Sequence, residues 1–492
     1  MSDSAHGAAD RQVLVASNRG PVSFAQAEDG TLTMRRGGGG LVSGLAGVAA
    51  GNGAGRPIWV CAALSDTDRL AARQAPDGRL DKAGYDTGGA RVRMLDIPAS
   101  TFRRAYNGVA NSTLWFVHHL LYDTPNAPHF DARSRRDWQS YEAYNAAFAD
   151  ALARDAEPGA RAAIQDYHLS LAPRMLRERR PDITIAHFSH TPWAPPEYYR
   201  LLPDDLGVQV LEGILGADHA GFLTRRWAEA FLDCCEALLQ AKVDRAAGTV
   251  RHKGRTTRIG VHGLGVDAEE LTARAAQPDV AERARALREQ VGDRQLIVRI
   301  DRTEPSKNIV RGLAAYREML ANHPEWHGRV VHLAFAYPSR QDLPEYRAYT
   351  RAVEETAAQI RREFGTPDWN PLILQVKDDY ARTLAAYGMA DVLLVNPIRD
   401  GMNLVAKEGP VLSRRGCALV LSREAGAAAD LGEHALLVNP YDVSQTAETL
   451  HRALLMPPDE RAERCRRLAA AATALPPRQW FADQLAALER AE

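Results

Sequence analysis

The sequence predicts an α/β protein of two domains, each a doubly wound parallel sheet faced by helices. Three observations carry that prediction. The chain has 492 residues, more than one ordinary hydrophobic core accommodates. Short β-branched runs recur at spacings that leave room for a helix, most regularly in the second half, which argues right-handed βαβ crossovers. Several of these runs end in Gly, Asp or His, and open α/β sheets place ligands at the carboxyl ends of their strands.

Residues 1–11 are expected to form a disordered lead, followed by a buried strand at Val13–Ser17 that Asn18-Arg-Gly-Pro21 breaks. A loop is expected next, leading to Arg35-Arg-Gly-Gly-Gly-Gly40 and a helix start at Leu41. Strands are expected at Pro57–Cys61 and Val92–Asp96. Tyr106–Trp115 mixes aromatics with loop residues ahead of a helical Phe116–Tyr122, and Asp137–Asp155 reads as a long amphipathic helix. The strands that follow end in Asp166-Tyr-His168 and, after Ile183–Ser189, in His190. Helices at Gln209–Leu215 and Arg225–Ala241 flank a strand at Ala220–Leu223. The Gly-punctuated Gly263-Leu-Gly-Val-Asp267 marks a boundary, so domains are expected over 1–265 and 266–475. Strands in the second domain are expected near Leu296–Ile300, Val330–Phe335, Leu372–Val376, Asp391–Val395, Ala418–Ser422 and Ala435–Asn439. Pro476-Pro477 sets off a terminal helix over 476–492.

With a net charge of −1 and 25% charged residues, no basic field points to nucleic acid or an anionic membrane. No apolar run approaches the ~20 residues of a membrane span, and the polar start Met1-Ser-Asp-Ser-Ala-His-Gly lacks a signal-peptide core. The five cysteines form no CxxC pair. They read as reduced thiols of a cytoplasmic protein without a structural metal.

The chemistry gathers around Arg399-Asp-Gly-Met-Asn-Leu-Val-Ala-Lys-Glu408, directly after the apolar run Asp391–Val395. A strand, a turn at Gly401 and a helix expected over Met402–Leu412 aim free N–H groups and a helix dipole at one point, where an anion fits. Asp400 on the turn suits sugar hydroxyls. Glu408, about two turns into that helix, suits a diol such as a ribose. Arg302 and Lys307 follow the first strand of the same domain and can face one diphosphate, with Arg340 as a third cation on that rim. The run ending in Gly40 could approach a phosphate, although no GK[ST] follows it. Tyr106 and Trp115 read either as core or as a wall for a sugar face.

In this order the residues resemble the trehalose-6-phosphate synthase family, retaining glucosyltransferases of family 20 with the GT-B fold, in which two Rossmann-like domains face a central cleft. The matching motifs are Ser17-Asn-Arg19, Gly39-Gly40-Leu41, Tyr106…Trp115, Asp166-Tyr-His168, His190-x-Pro, Arg302-x4-Lys307, Ser339-Arg340, Asp400–Glu408 and Val438-Asn-Pro-Tyr441. The resemblance implies transfer of glucose from GDP- or UDP-glucose to glucose 6-phosphate, giving α,α-trehalose 6-phosphate, with no metal or other cofactor. Arg302 and Lys307 would grip the diphosphate with the N–H groups of Met402, Asn403, Leu404 and Val405, while Glu408 takes the ribose. Asp400 and His190 would hold the transferred glucose, and Gly40 would close over the donor. Arg19, Tyr106, Trp115, Asp166, Tyr167 and Arg340 would surround the acceptor, with Arg19 and Arg340 on its phosphate and Asp166 joining the catalytic set. The 476–492 helix would pack back on the first domain.

Three departures from the family pattern, at Cys61-Ala-Ala-Leu64, Asn18–Ser23 and Thr303-Glu-Pro-Ser306, are similar to an actinobacterial branch that can use GDP-glucose. No haloacid-dehalogenase-like domain follows, so a separate trehalose-phosphate phosphatase is expected downstream; a homo-oligomer stays open. Two alternatives are a pseudo-glycosyltransferase joining a nucleotide-cyclitol to an amino-cyclitol phosphate, and a non-catalytic subunit that senses sugar phosphates.

Overall fold

The computed structural model describes residues 11–37 and 56–490; Gly40 and the helix start expected at Leu41 lie outside them. The chain divides into two compact units, Met1–Leu264 with Pro477–Glu492, and Gly265–Pro476. Among the described residues no helix is long and apolar enough to cross a membrane.

The first unit opens with β1 (Val13–Ser17), every residue of which is buried. The loop expected after it is instead an antiparallel hairpin of β2 (Val22–Gln26) and β3 (Leu32–Arg36). Buried Val22 and Phe24 alternate with exposed Ser23, and Asp29-Gly30 turns the chain with Gly30 at φ 84°, a hairpin signature in both pattern and turn. The remaining strands are β4 (Ile58–Ala62), β5 (Arg91–Leu95), β6 (Arg161–Gln165), β7 (Thr184–Ser189), β8 (His219–Phe222), β9 (Lys242–Asp244), β10 (Thr249–His252) and β11 (Arg255–Val261).

The main sheet runs β5-β4-β1-β6-β7-β8-β11-β10-β9 and is parallel except at its β9 edge, where β10 pairs antiparallel with both neighbours. From β5 to β8 this is a doubly wound order whose direction reverses between β1 and β6. A second correction concerns Tyr106–Trp115. In place of loop residues the chain forms a π-helix over Arg104–Leu114 that continues into Trp115–His118, a geometry that is rare and concentrated at functional sites. The long helix begins at Ala132, five residues earlier than its apolar pattern, because Asp131 caps it by accepting from the Ser134 N–H. The terminal helix Pro477–Glu489 packs on β6, β7 and β8, with Trp480 edge-on to Phe188 at 5.1 Å.

The second unit is a six-stranded, all-parallel sheet in the order β14-β13-β12-β15-β16-β17. Its strands are β12 (Gln295–Arg302), β13 (Val330–Tyr337), β14 (Leu372–Gln375), β15 (Val392–Val395), β16 (Ala418–Ser422) and β17 (Leu436–Val438). The central strands are buried on both faces, as helices on each side require. The order reverses between β12 and β15, so the loops leaving those two strands flank a crevice at their carboxyl ends. The expected helix start at Met402 is also corrected, since the helix spans Val405–Leu412. Asn403 sits at φ 82°, which no helix interior tolerates, and its Oδ1 accepts from the Ala406 N–H at 3.3 Å. Glu408 therefore lies in the first turn of that helix, not about two turns inside.

Candidate active site

In the second unit, Arg302 ends β12, and the turn after it carries Glu304 and Lys307. Glu304 is fully buried. Its carboxylate lies 3.2 Å from the Arg302 guanidinium and 3.9 Å from that of Arg340, and accepts from Ser339 Oγ at 2.8 Å. Burial pushes its pKa up, but Arg302, Arg340 and Lys307 together with the Ser339 hydroxyl outweigh that and hold it at about 2. One buried anion therefore pairs with two cations, one ending β12 and one in the loop after β13, and lies in the field of a third at Lys307. Arg340 is further fixed by its bond to Tyr346 Oη at 2.6 Å.

Lys307 links this cluster to the loop after β15. Its ammonium meets Asp400 Oδ2 at 2.5 Å, and Asn403 Nδ2 donates to the same oxygen at 3.1 Å. Burial favours the neutral amine, yet Asp400 and Glu304 raise the Lys307 pKa above its ordinary value, so it stays charged. The turn Asp400–Asn403 rests on a second loop: the Gly426 N–H donates to the Asp400 carbonyl and the Ala427 N–H to that of Met402. A Cβ on Gly426 would lie 1.9 Å from the Gly401 carbonyl oxygen, so only glycine allows the approach. The N–H groups of Met402, Asn403, Leu404 and Val405 donate to no acceptor among the described residues. Three cations against two carboxylates, beside four open N–H groups, form a site for a polyanion.

Glu408, one turn on, accepts from Tyr387 Oη at 3.0 Å. Burial raises its pKa to about 7, with the tyrosine hydroxyl opposing the shift.

In the first unit, Arg19 follows β1, Asp166 follows β6 and His190 follows β7. These strands are sheet neighbours, so parallel pairing gathers the three residues at one sheet edge, across the β1/β6 reversal. Arg19 is exposed, and its side chain has no hydrogen bond or ion pair among the described residues. Asp166 sits at φ 75°, ψ 169°, and its Oδ1 accepts the His190 backbone N–H at 3.2 Å. His190 Nε2 faces Gln165 Oε1 at 3.0 Å. Burial pulls the imidazole pKa down, against Asp166, and favours the neutral ring. Half-buried Tyr106 stacks between Phe102 at 5.2 Å and His168 at 5.6 Å. Trp115 is 8% exposed and Tyr167 3%. They pack on each other at 5.7 Å, and Tyr167 Oη donates to Asn111 Oδ1, so both support the edge more than they line it.

The structure thus gathers Arg302, Lys307, Arg340, Asp400, Met402, Asn403, Leu404, Val405 and Glu408 in one unit, and Arg19, Tyr106, Trp115, Asp166, Tyr167 and His190 in the other. Sequence reasoning missed Glu304, Tyr387 and Gln165. A carboxylate between two cations could have flagged Glu304; nothing local marks the other two.

A family model described as Glycosyltransferase family 20 matches residues 11–490. A bifunctional trehalose-6-phosphate synthase/phosphatase of Thermoproteus tenax is 37% identical over 73% of the chain, which spans 48% of that longer protein. A trehalose-6-phosphate synthase of Mycolicibacterium smegmatis is 33% identical over 96% of this chain and 92% of its own. An E. coli structure bound with UDP-2-fluoro glucose superposes with a TM-score of 0.85 at 28% identity, covering 97% of this chain and 99% of that one.

Proposed function

The chain belongs to glycosyltransferase family 20 and is a glycosyltransferase of the trehalose-phosphate synthase type, and from that premise we propose that it moves glucose from a nucleoside-diphosphate glucose to glucose 6-phosphate with retention of configuration. The observation that carries this reading is the pairing of Arg302 and Arg340 with buried Glu304, beside Lys307 bonded to Asp400 and the open N–H groups of Met402–Val405. Negative charge develops on the departing diphosphate. Cations and amides already held in place stabilise that charge without reorganising.

Arg302 and Lys307 hold the diphosphate in this account, Glu408 accepts from the ribose diol, and Asp400 in the second unit and His190 in the first each serve as a ligand for a sugar hydroxyl. In the first unit Arg19 binds the phosphate of glucose 6-phosphate, and Asp166 and Tyr106 contribute to holding its sugar. Fixing both substrates supplies proximity. The acceptor proton passes to the leaving phosphate oxygen on the same face, so no side chain acts as nucleophile. Asp400 is already paired with Lys307, which suits hydroxyl binding better than attack. Fixed cations supply the charge that a metal would otherwise bring, so the reaction is proposed to run without one. Five free, buried cysteines support a reducing, cytoplasmic setting.

For the base we propose GDP-glucose over UDP-glucose, on the departures at Asn18–Ser23, Cys61–Leu64 and Thr303–Ser306; the UDP sugar in the E. coli structure sets the competing expectation. The test is incubation with glucose 6-phosphate and each of GDP-, UDP- and ADP-glucose in the presence of chelator, with the released nucleotide and disaccharide identified by NMR. α,α-Trehalose 6-phosphate formed fastest with GDP release supports the whole reading. Faster UDP release overturns the base, and no disaccharide from any donor overturns the activity.

A further inference from the structure

We propose that Gln165 and Gln484 are positioning residues that fix His190 as its Nε2–H tautomer, leaving the Nδ1 lone pair to accept from a sugar hydroxyl. The chain of bonds begins at a group whose polarity cannot change. The Trp480 backbone carbonyl only accepts, and Gln484 Nε2 donates to it at 3.4 Å. Gln484 Oε1 therefore faces the other way and accepts from Gln165 Nε2 at 3.3 Å. That turns Gln165 Oε1 toward His190 Nε2 at 3.0 Å. An amide oxygen cannot donate, so the ring nitrogen opposite it carries the proton.

Both glutamines are 1% exposed, which keeps water from replacing either link. The ring cannot turn to offer its other nitrogen. Phe188 meets it at 4.8 Å and Trp480 at 5.4 Å, and its backbone N–H is held by Asp166. Nδ1 makes no hydrogen bond among the described residues. Burial favours the neutral ring, in which Nδ1 is an acceptor and not a second donor. The last helix thus contributes an orienting group to the site as well as covering the sheet.

The inference rests on the reading of His190 as a sugar ligand, but its first test does not. In ligand-free protein labelled with 15N-histidine, long-range 1H–15N correlation near neutral pH should show His190 protonated at Nε2 and bare at Nδ1. Gln484→Met removes the acceptor that orients Gln165; the variant should show a tautomer mixture and a kcat lowered about tenfold, one hydrogen bond's worth, with donor KM changed less. Gln165→Glu presents an acceptor-only group and should keep the single tautomer while moving the acid limb of the pH–rate profile upward. An Nδ1–H tautomer in the wild type, or an unchanged tautomer in Gln484→Met, overturns the proposal. If Gln484→Met does not fold, the wild-type and Gln165→Glu spectra still decide. An Nε2–H tautomer in a protein that makes no disaccharide would count against the glucosyltransfer reading and leave the relay standing.

Discussion

Glu408 carries a pH signature that can be read directly. Its carboxyl titrates near 7 in the folded protein, up from 4.5, because burial disfavours the anion. A folded pKa raised in this way gives stability that is complete below the unfolded value and is lost as pH rises through about 7. Binding has the opposite sense, since a diol needs the ionised acceptor. Donor KM should therefore fall several-fold between about pH 6 and about pH 8, and Glu408→Gln should flatten the profile. Asp166 stores a different quantity. Its φ and ψ lie in a region that glycine alone occupies comfortably, at a cost of about 1–3 kcal/mol. Asp166→Gly and Asp166→Ala both lose the bond to His190, yet Gly should be the more stable by about 1 kcal/mol in thermal melts, with turnover lowered in both. An alanine variant at least as stable as the glycine one would remove the strain. Glu304 stands between two cations in the sequence, a signal that the same residues give in a solvated turn, and its burial is what separates the two cases.

The turn between β15 and the helix at Val405 depends on the loop beneath it. Gly426→Ala forces a methyl group against the Gly401 carbonyl. It should cost about 1–3 kcal/mol of stability and weaken nucleotide binding several-fold, measured by thermal melts and calorimetry; a variant with wild-type values in both would show that the turn does not rest there. This element also marks how far the sequence could be read. The apolar runs at Val13–Ser17 and Ala418–Ser422 are strands with those bounds, because strands buried on both faces leave unbroken hydrophobic signatures. The start of the Val405 helix was misplaced because Met402-Asn-Leu404 has helical composition while Asn403 adopts a left-handed conformation fixed by tertiary contacts. The hairpin at Val22–Arg36 was legible in its Asp29-Gly30 turn and alternating pattern, and was missed. β9 to β11 are mostly polar and part-exposed toward the β9 end of the sheet, where burial writes little into the sequence. The π-helix at Arg104–Leu114 has no composition of its own, since its register comes from what it packs against.

Across the whole molecule, each sheet places its candidate groups beside the point where strand order reverses, Lys307 with Asp400 in one unit and Arg19 with Asp166 in the other. That recurrence was foreshadowed by polar residues at strand ends, whereas the pairing of particular side chains was not, because it depends on sheet order. Ligands should report the division. In hydrogen-exchange mass spectrometry, GDP should protect amides around Met402–Val405 and glucose 6-phosphate those around Asn18–Gly20 and Asp166–His168; protection of the same segments by both ligands would contradict the assignment. The central claim is that cations at the β12/β15 reversal draw the diphosphate away from glucose. The most direct measurement is the single-turnover rate of glucosyl transfer in Arg302→Ala and Lys307→Ala at saturating donor. The account predicts a fall of about a hundredfold or more in each, as for loss of one transition-state donor, and wild-type rates in both variants would contradict it.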